Sequence, residues 1–265
     1  MAPIPGGAFL MGSNDHYKEE RPARLARTDA FLIDITSVTN RMFAAFVRAT
    51  GHTTIAEREG GSAVFIGPQT AADVRAQPTW WHLVEGAYWR HPYGEGSVID
   101  DRLDHPVVHV AHRDALAYAA WAGKRLPSEI EWERAARGGL EGAVYAWGDT
   151  MAPNDRSMAH VWQGDFPTVN RGRYARSGTA PVGSFPPNGF GLYDMIGNVW
   201  EWTTTPATDA EPSGCGMSAP GDQPKVIKGG SFLCAPDYCR RYRPAARLFQ
   251  APDATACHIG FRCAV

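Results

Sequence analysis

Two cysteines five positions apart, Cys234 and Cys239, are the residues of this chain whose type and spacing best suit chemistry. In a strand that spacing sends the side chains to opposite faces; in a helix it leaves them about 140° apart at ~100° per residue. Only a turn brings the sulfurs together, and Pro236-Asp237 supplies turn-forming residues between them. Converging thiolates can close a disulfide, ligate a soft metal ion or exchange with another thiol. Two thiolates are too few for a structural zinc site, which takes four ligands, and no second Cys-x-x-Cys pair completes one. They suit the cuprous ion, which soft ligands select. A structural disulfide, or two buried cysteines acting as small hydrophobes, stays open on spacing alone. Arg240, Arg241 and Arg243 follow directly. They can lower the pKa of a nearby thiol, or form a salt-bridged strand.

The elements that must position this pair are short. Lys225–Phe232 has a strand pattern leading into Cys234. Upstream, Phe31–Ile35 reads as a strand, Thr39 as the cap of a helix with Met42, Phe43, Phe46 and Val47 on one face, and Gly51 as its stop. Val107–Val110 reads as a strand, Ala115–Ala122 as a helix closed by Gly123, and Ser128 with Glu131 as a capping box opening a helix to Arg137. The stretch Glu57–Gln77 reads as a long excursion rich in Gly and Ala, and Trp80, Trp81 and Trp89 follow it as wall or core. Beyond Gly139 short aromatic segments are broken by Gly, Pro and Asn. The expected class is α+β with low regular secondary structure. No repeat or linker interrupts residues 1–265, so a single domain is expected.

Bulk properties narrow the function. A chain of 265 residues with 44% hydrophobic residues can bury a full core. A net charge of −2 with no basic run gives nucleic acid or an anionic membrane nothing to hold. No segment reaches the ~20 apolar residues of a spanning helix, and the start lacks a signal-peptide pattern. A soluble, monomeric, cytoplasmic protein is expected. Five cysteines (Cys215, Cys234, Cys239, Cys257, Cys263) cannot all pair within one chain, which fits reactive, buried or metal-bound thiols.

The run from Lys228-Gly-Gly-Ser231 through Cys234 and Cys239 to Arg247, with Ile259-Gly-Phe-Arg-Cys263, resembles the signature of the formylglycine-generating enzymes, the sulfatase-modifying factors. Further family motifs occur in order: Pro5–Ser13, Trp89–Pro92, Trp121–Pro127, Tyr145–Gly148, Trp162–Gly164, and Asn188–Tyr193 through Gly197–Trp202. The resemblance covers nearly the whole chain and implies a compact fold related to C-type lectins. It implies Cu(I) held by Cys234 and Cys239, reduction of O2, and oxidation of a cysteine in an unfolded or nascent sulfatase-type polypeptide. That client thiol would lose a hydrogen from its β-carbon, and water would hydrolyse the product to formylglycine. Ser231, Tyr238 and Trp200 would line the catalytic pocket, with Trp80, Trp89, Arg240 and Arg241 as substrate contacts. A structural Ca2+ would take Asp194, Glu201 and the carbonyls of Gly197 and Val199, an oxygen-only set of the kind calcium prefers. At the second calcium site His160 and Arg173-Tyr174 depart from the pattern. So do Ala119, Ala136 and Pro244 where some relatives carry disulfide cysteines, and Gly61 where an acidic residue would meet the arginine of a client Cys-x-Pro-x-Arg motif.

Two readings compete with the oxidase. A non-catalytic binding module on the same scaffold would not need the cysteine pair. A thiol–disulfide exchange protein would normally carry a two-residue spacing at a helix start, which is absent. An iron-dependent sulfoxide synthase needs a histidine cluster, whereas His105, His109 and His112 fall across a strand and a loop.

Overall fold

The computed structural model describes residues 1–68, 80–175, 178–207 and 223–265. Cys215 and the 69–77 portion of the Gly- and Ala-rich excursion lie outside the described residues. Strand β1 (Ala2–Ile4) pairs antiparallel with β4 (Phe31–Ile33), and β2 (Gly7–Met11) with β3 (Arg24–Thr28). Helix α1 (Asn40–Thr50) starts where the sequence indicates: Thr39 Oγ1 accepts from Met42 N, and Gly51 ends the helix at φ 69°. Phe43 and Phe46 enter the core, but Met42 is 47% exposed, because one residue is ~100° of turn away from Phe43. A short helix α2 (Ile55–Arg58) precedes the hairpin of β5 (Gly61–Phe65) and β6 (Trp81–Glu85).

Helix α3 (His112–Trp121) and helix α4 (Glu129–Arg137) follow, the latter with its Ser128–Glu131 capping box and Gly138 at φ 59°. The expected strand Val107–Val110 is not formed. These residues are buried, yet His109 turns the backbone to φ 60°, and the segment spends its amides singly, Val107 N on Val38 O and His109 N on Ala256 O.

The central sheet runs β10-β7-β8-β9 in the order β10 (Ile259–Gly260), β7 (Trp200–Pro206), β8 (Lys225–Lys228) and β9 (Arg247–Gln250), with β10 parallel to β7 and the other pairs antiparallel. Strand β8 stops four residues short of the predicted Phe232. Gly229 at φ 98° and Gly230 at φ 73° turn the chain there, and a Cβ on Gly230 would sit 2.9 Å from the Arg241 carbonyl oxygen. That close approach presses the loop carrying Ser231 and Cys234 against the segment following Cys239.

Aromatic packing and buried charge fix this frame. Trp89 is 1% exposed and packs edge-on to Phe43 at 5.2 Å, so this expected substrate contact is a core residue. Between α4 and β8, Lys228 Nζ lies 2.9 Å from Glu133, which also binds Arg137 at 2.7 Å and accepts from Gly12 N. No helix among the described residues is long and apolar enough to cross a membrane.

Four buried imidazoles make the fold acid-sensitive. Burial lowers His109, His112 and His160 to about 4 and His258 to about 3. The unfolded chain binds protons near pH 6.5 and the folded chain does not, so this stability is complete above pH 6.5 and lost as pH falls toward 4. The melting temperature is therefore expected to fall progressively from pH 7 to 4; a flat profile would contradict neutral buried histidines.

Candidate active site

The turn expected between the cysteines is present. Cys234 N donates to Ser231 O, and Tyr238 N and Cys239 N both donate to Ala235 O, which curls the chain until the two sulfurs are 3.3 Å apart. Both are free thiols. Ser231 sits inside the same curl: its amide donates to the Cys234 sulfur at 3.4 Å, and its hydroxyl oxygen accepts from Leu233 N.

The two thiols are electrostatically unequal. Cys239 is lowered to about 6, first by the hydrogen bond from the Cys234 thiol and then, against burial, by Arg241. Cys234 is pushed well up by burial and by its neighbour's charge. In the metal-free protein the pair therefore holds one proton, on Cys234, at neutral pH. Iodoacetamide is expected to modify Cys239 first, at a rate that drops as pH falls through about 6. Cys234, Cys257 and Cys263 are buried and should lag. Peptide mapping after alkylation checks this; equal labelling of the pair would contradict it.

The pair opens into a cavity of about 470 Å³ whose walls include Trp80, Trp81, Phe166, Trp200, Tyr238 and Leu248. Phe166 and Tyr238 stack at 4.1 Å, and Trp80 meets both edge-on. Tyr238 is 51% exposed at the rim, whereas Trp200 is 2% exposed on the floor. Arg241 lines the cavity with Nη1 3.9 Å from the Cys239 sulfur, held there by Glu19 at 2.6 Å and by the Tyr17 ring at 3.8 Å. Arg240, an expected substrate contact, points elsewhere: its Nη2 donates to Tyr145 Oη at 3.3 Å and it is absent from the cavity wall.

Of the expected site residues the cavity thus gathers Cys234, Cys239, Ser231, Tyr238, Trp200, Trp80 and Arg241, and excludes Trp89 and Arg240. Sequence reasoning missed Phe166, His258 and Glu19. Each reaches the cysteine loop from a distant part of the chain, Glu19 from 222 positions away, and no local spacing announces that.

Behind the floor lie Asp194, Gly197, Val199 and Glu201. Glu201 is a hub: Oε1 accepts from Ser37, and Oε2 from Trp132 Nε1 and Arg262 Nε. Three of its roughly four lone-pair positions are thereby used. Asp194 is raised to about 6, mainly by burial, and its Oδ2 accepts from Gly183 N. These carboxylates and carbonyls are hard oxygen donors of the kind calcium takes, and with three donors already on it Glu201 has about one position left to offer. His160 is stacked between Phe185 and Phe232, and its Nε2 pairs with Gly178 O.

Over residues 1–265 the chain matches the sulfatase-modifying factor enzyme 1-like domain. The chain belongs to the sulfatase-modifying factor family. A formylglycine-generating enzyme from Thermomonospora curvata is 50% identical, covering 100% of this chain and 92% of the relative. Another from Mycobacterium tuberculosis is 49% identical over 98% and 95%. The structure of PvdO from Pseudomonas aeruginosa superposes with a TM-score of 0.68 at 27% identity, covering 99% and 92%. The α+β fold of low regularity is the sulfatase-modifying factor fold.

Proposed function

We propose that this protein converts a cysteine of a polypeptide client to formylglycine with O2, using a Cu(I) ion held by Cys234 and Cys239. The observation that carries the reading is the 3.3 Å contact of two free thiols at the base of an aromatic cavity, in a chain half identical to enzymes of that name. The two sulfurs open on the cavity, which leaves space beside them for an incoming thiol. Cuprous ion, when bound, supplies the electron-transfer chemistry toward O2 that no side chain here provides.

The protein's own residues do the rest. Cys239 is already ionised at neutral pH, and the Cys234 proton is the one that must leave on loading. Arg241 offsets negative charge beside Cys239. The Trp and Phe walls give the reacting sulfur apolar surroundings, and Ser231 fixes the curl through its amide on the Cys234 sulfur and its hydroxyl oxygen on Leu233 N. Net chemistry at the client is loss of two electrons and two protons to O2, which is thereby reduced to the level of hydrogen peroxide, then hydrolysis of the thiocarbonyl, with sulfide leaving. We assign one structural Ca2+ to Asp194, Glu201 and the Gly197 and Val199 carbonyls, and a cytoplasmic location.

Copper-loaded protein, air and the peptide Cys-Thr-Pro-Ser-Arg test the reading. The aldehyde, trapped by an aminooxy reagent and seen by mass spectrometry, is expected together with O2 uptake. Uptake without aldehyde would point to a different thiol client. No uptake with copper bound would favour the binding-module reading. Gly61 is buried in β5 and Glu57 is taken up by the cap of α2, so neither marks a carboxylate for the client arginine.

A further inference from the structure

We propose that His258 anchors the client main chain, its imidazole hydrogen-bonding the peptide unit that adjoins the reacting cysteine. This rests on the client-cysteine reading above. His258 precedes β10, lines the same cavity as Cys234 and Cys239, and is 8% exposed. Its Nδ1 is buried without a hydrogen-bond partner among the described residues.

The other buried imidazoles are all engaged. His109 meets Ser62 Oγ and Pro92 O, His112 meets Thr203 O, His160 meets Gly178 O and His105 meets Thr179 Oγ1. A buried polar group left unpaired costs stability, so an imidazole kept this way at a cavity wall is a site for something that arrives. Trp81 packs on the ring at 4.7 Å, and the His258 carbonyl accepts from Trp200 N, so the residue is held in place.

The chemistry of the arriving group follows. Burial holds His258 neutral, giving it one donor and one acceptor and no charge to attract a carboxylate. A client cysteine cannot reach the sulfurs without carrying its flanking N–H and C=O into an aromatic-walled space, where they need partners. Arg241 is committed to Glu19, and Ser231 Oγ already accepts from Leu233 N. The imidazole complements a peptide unit, one donor to its carbonyl or one acceptor to its amide.

The test measures binding of a fluorescein-labelled Cys-Thr-Pro-Ser-Arg peptide to the metal-free full-length protein by anisotropy, alongside KM and kcat of the copper-loaded enzyme. His258→Leu is expected to weaken binding and raise KM about tenfold, with kcat moving less, and His258→Asn to recover most of the loss. Amide-to-ester or N-methyl replacement at the bonds flanking the cysteine should cost the wild type a similar factor at one bond, and cost His258→Leu almost nothing there. Losses that simply add would overturn the proposal, as would His258→Leu binding like wild type, the result expected if the ring meets only water. Should His258→Leu fail to fold, the ester series on wild type and His258→Asn reads the same coupling. His258-dependent binding with no aldehyde would sink the formylglycine reading alone; aldehyde made by His258→Leu at unchanged KM would sink this one alone.

Discussion

Cys234→Ser and Cys239→Ser should each leave a folded protein whose turnover of a cysteine peptide has fallen on the order of 1,000-fold or more, with the double variant no worse than either single. The non-additivity follows from the pair acting as one unit: the 3.3 Å contact makes a single two-sulfur donor, and one sulfur is no longer that donor. Serine is nearly isosteric, so the curl around Ala235 should survive, but a hydroxyl is a hard donor with no preference for a cuprous ion. Competition against a chromophoric Cu(I) chelator, run beside the peptide assay, separates loss of metal from loss of folding. A single variant that keeps turnover within tenfold of wild type would remove the pair from the mechanism.

Glu133→Ala is expected to be the most damaging change far from the cavity. Burial alone would raise the Glu133 pKa, but Lys228 and Arg137 outweigh it and the net shift is downward. Alanine leaves Lys228, 0% exposed, and Arg137, 4% exposed, facing each other without their shared anion, and leaves Gly12 N without its acceptor. Breaking a buried pair in this way costs about 3–5 kcal/mol, which for a chain of this size lowers the melting temperature by roughly 10 °C. A depressed carboxylate pKa contributes stability above its unfolded value of about 4.3, lost as pH falls through the lower folded value. Wild type should therefore lose this contribution only in strong acid, and the variant should have nothing left to lose there. Thermal melts of both proteins from pH 7 to 3 check it; a drop of under about 1 kcal/mol would show that the network carries no weight.

Where one short stretch determines the outcome, the sequence alone shows it. Thr39 and Gly51 bound α1, Ser128, Glu131 and Gly138 bound α4, and the Pro236-Asp237 turn brings the sulfurs together. Elsewhere a distant partner decides, and local sequence is silent. Val107–Val110 has strand composition, but its amides are claimed one at a time by Val38 and Ala256. Trp89 and Arg240 sit in motifs of the family, and only packing against Phe43 and Tyr145 shows that neither faces the cavity. The wall residues Phe166 and His258 gave no signal, since each is one aromatic side chain on a loop whose neighbours come from elsewhere in the chain.

The loop that carries the cysteines is braced by the N-terminal segment. Glu19 holds Arg241 and Glu20 holds Arg243, the second pair 2.5 Å apart and about 1% exposed. Near the far end Val265 pairs with Leu32 and Phe261 O accepts from Val38 N. Glu19 and Arg241 lie 222 positions apart, so this brace exists only once the two distant segments have met in the folded chain. Loosening the segment around Glu19 would therefore free the guanidinium beside the Cys239 sulfur while leaving the curl around Ala235 intact, so charge at the sulfur pair is set from a part of the fold that never touches a sulfur.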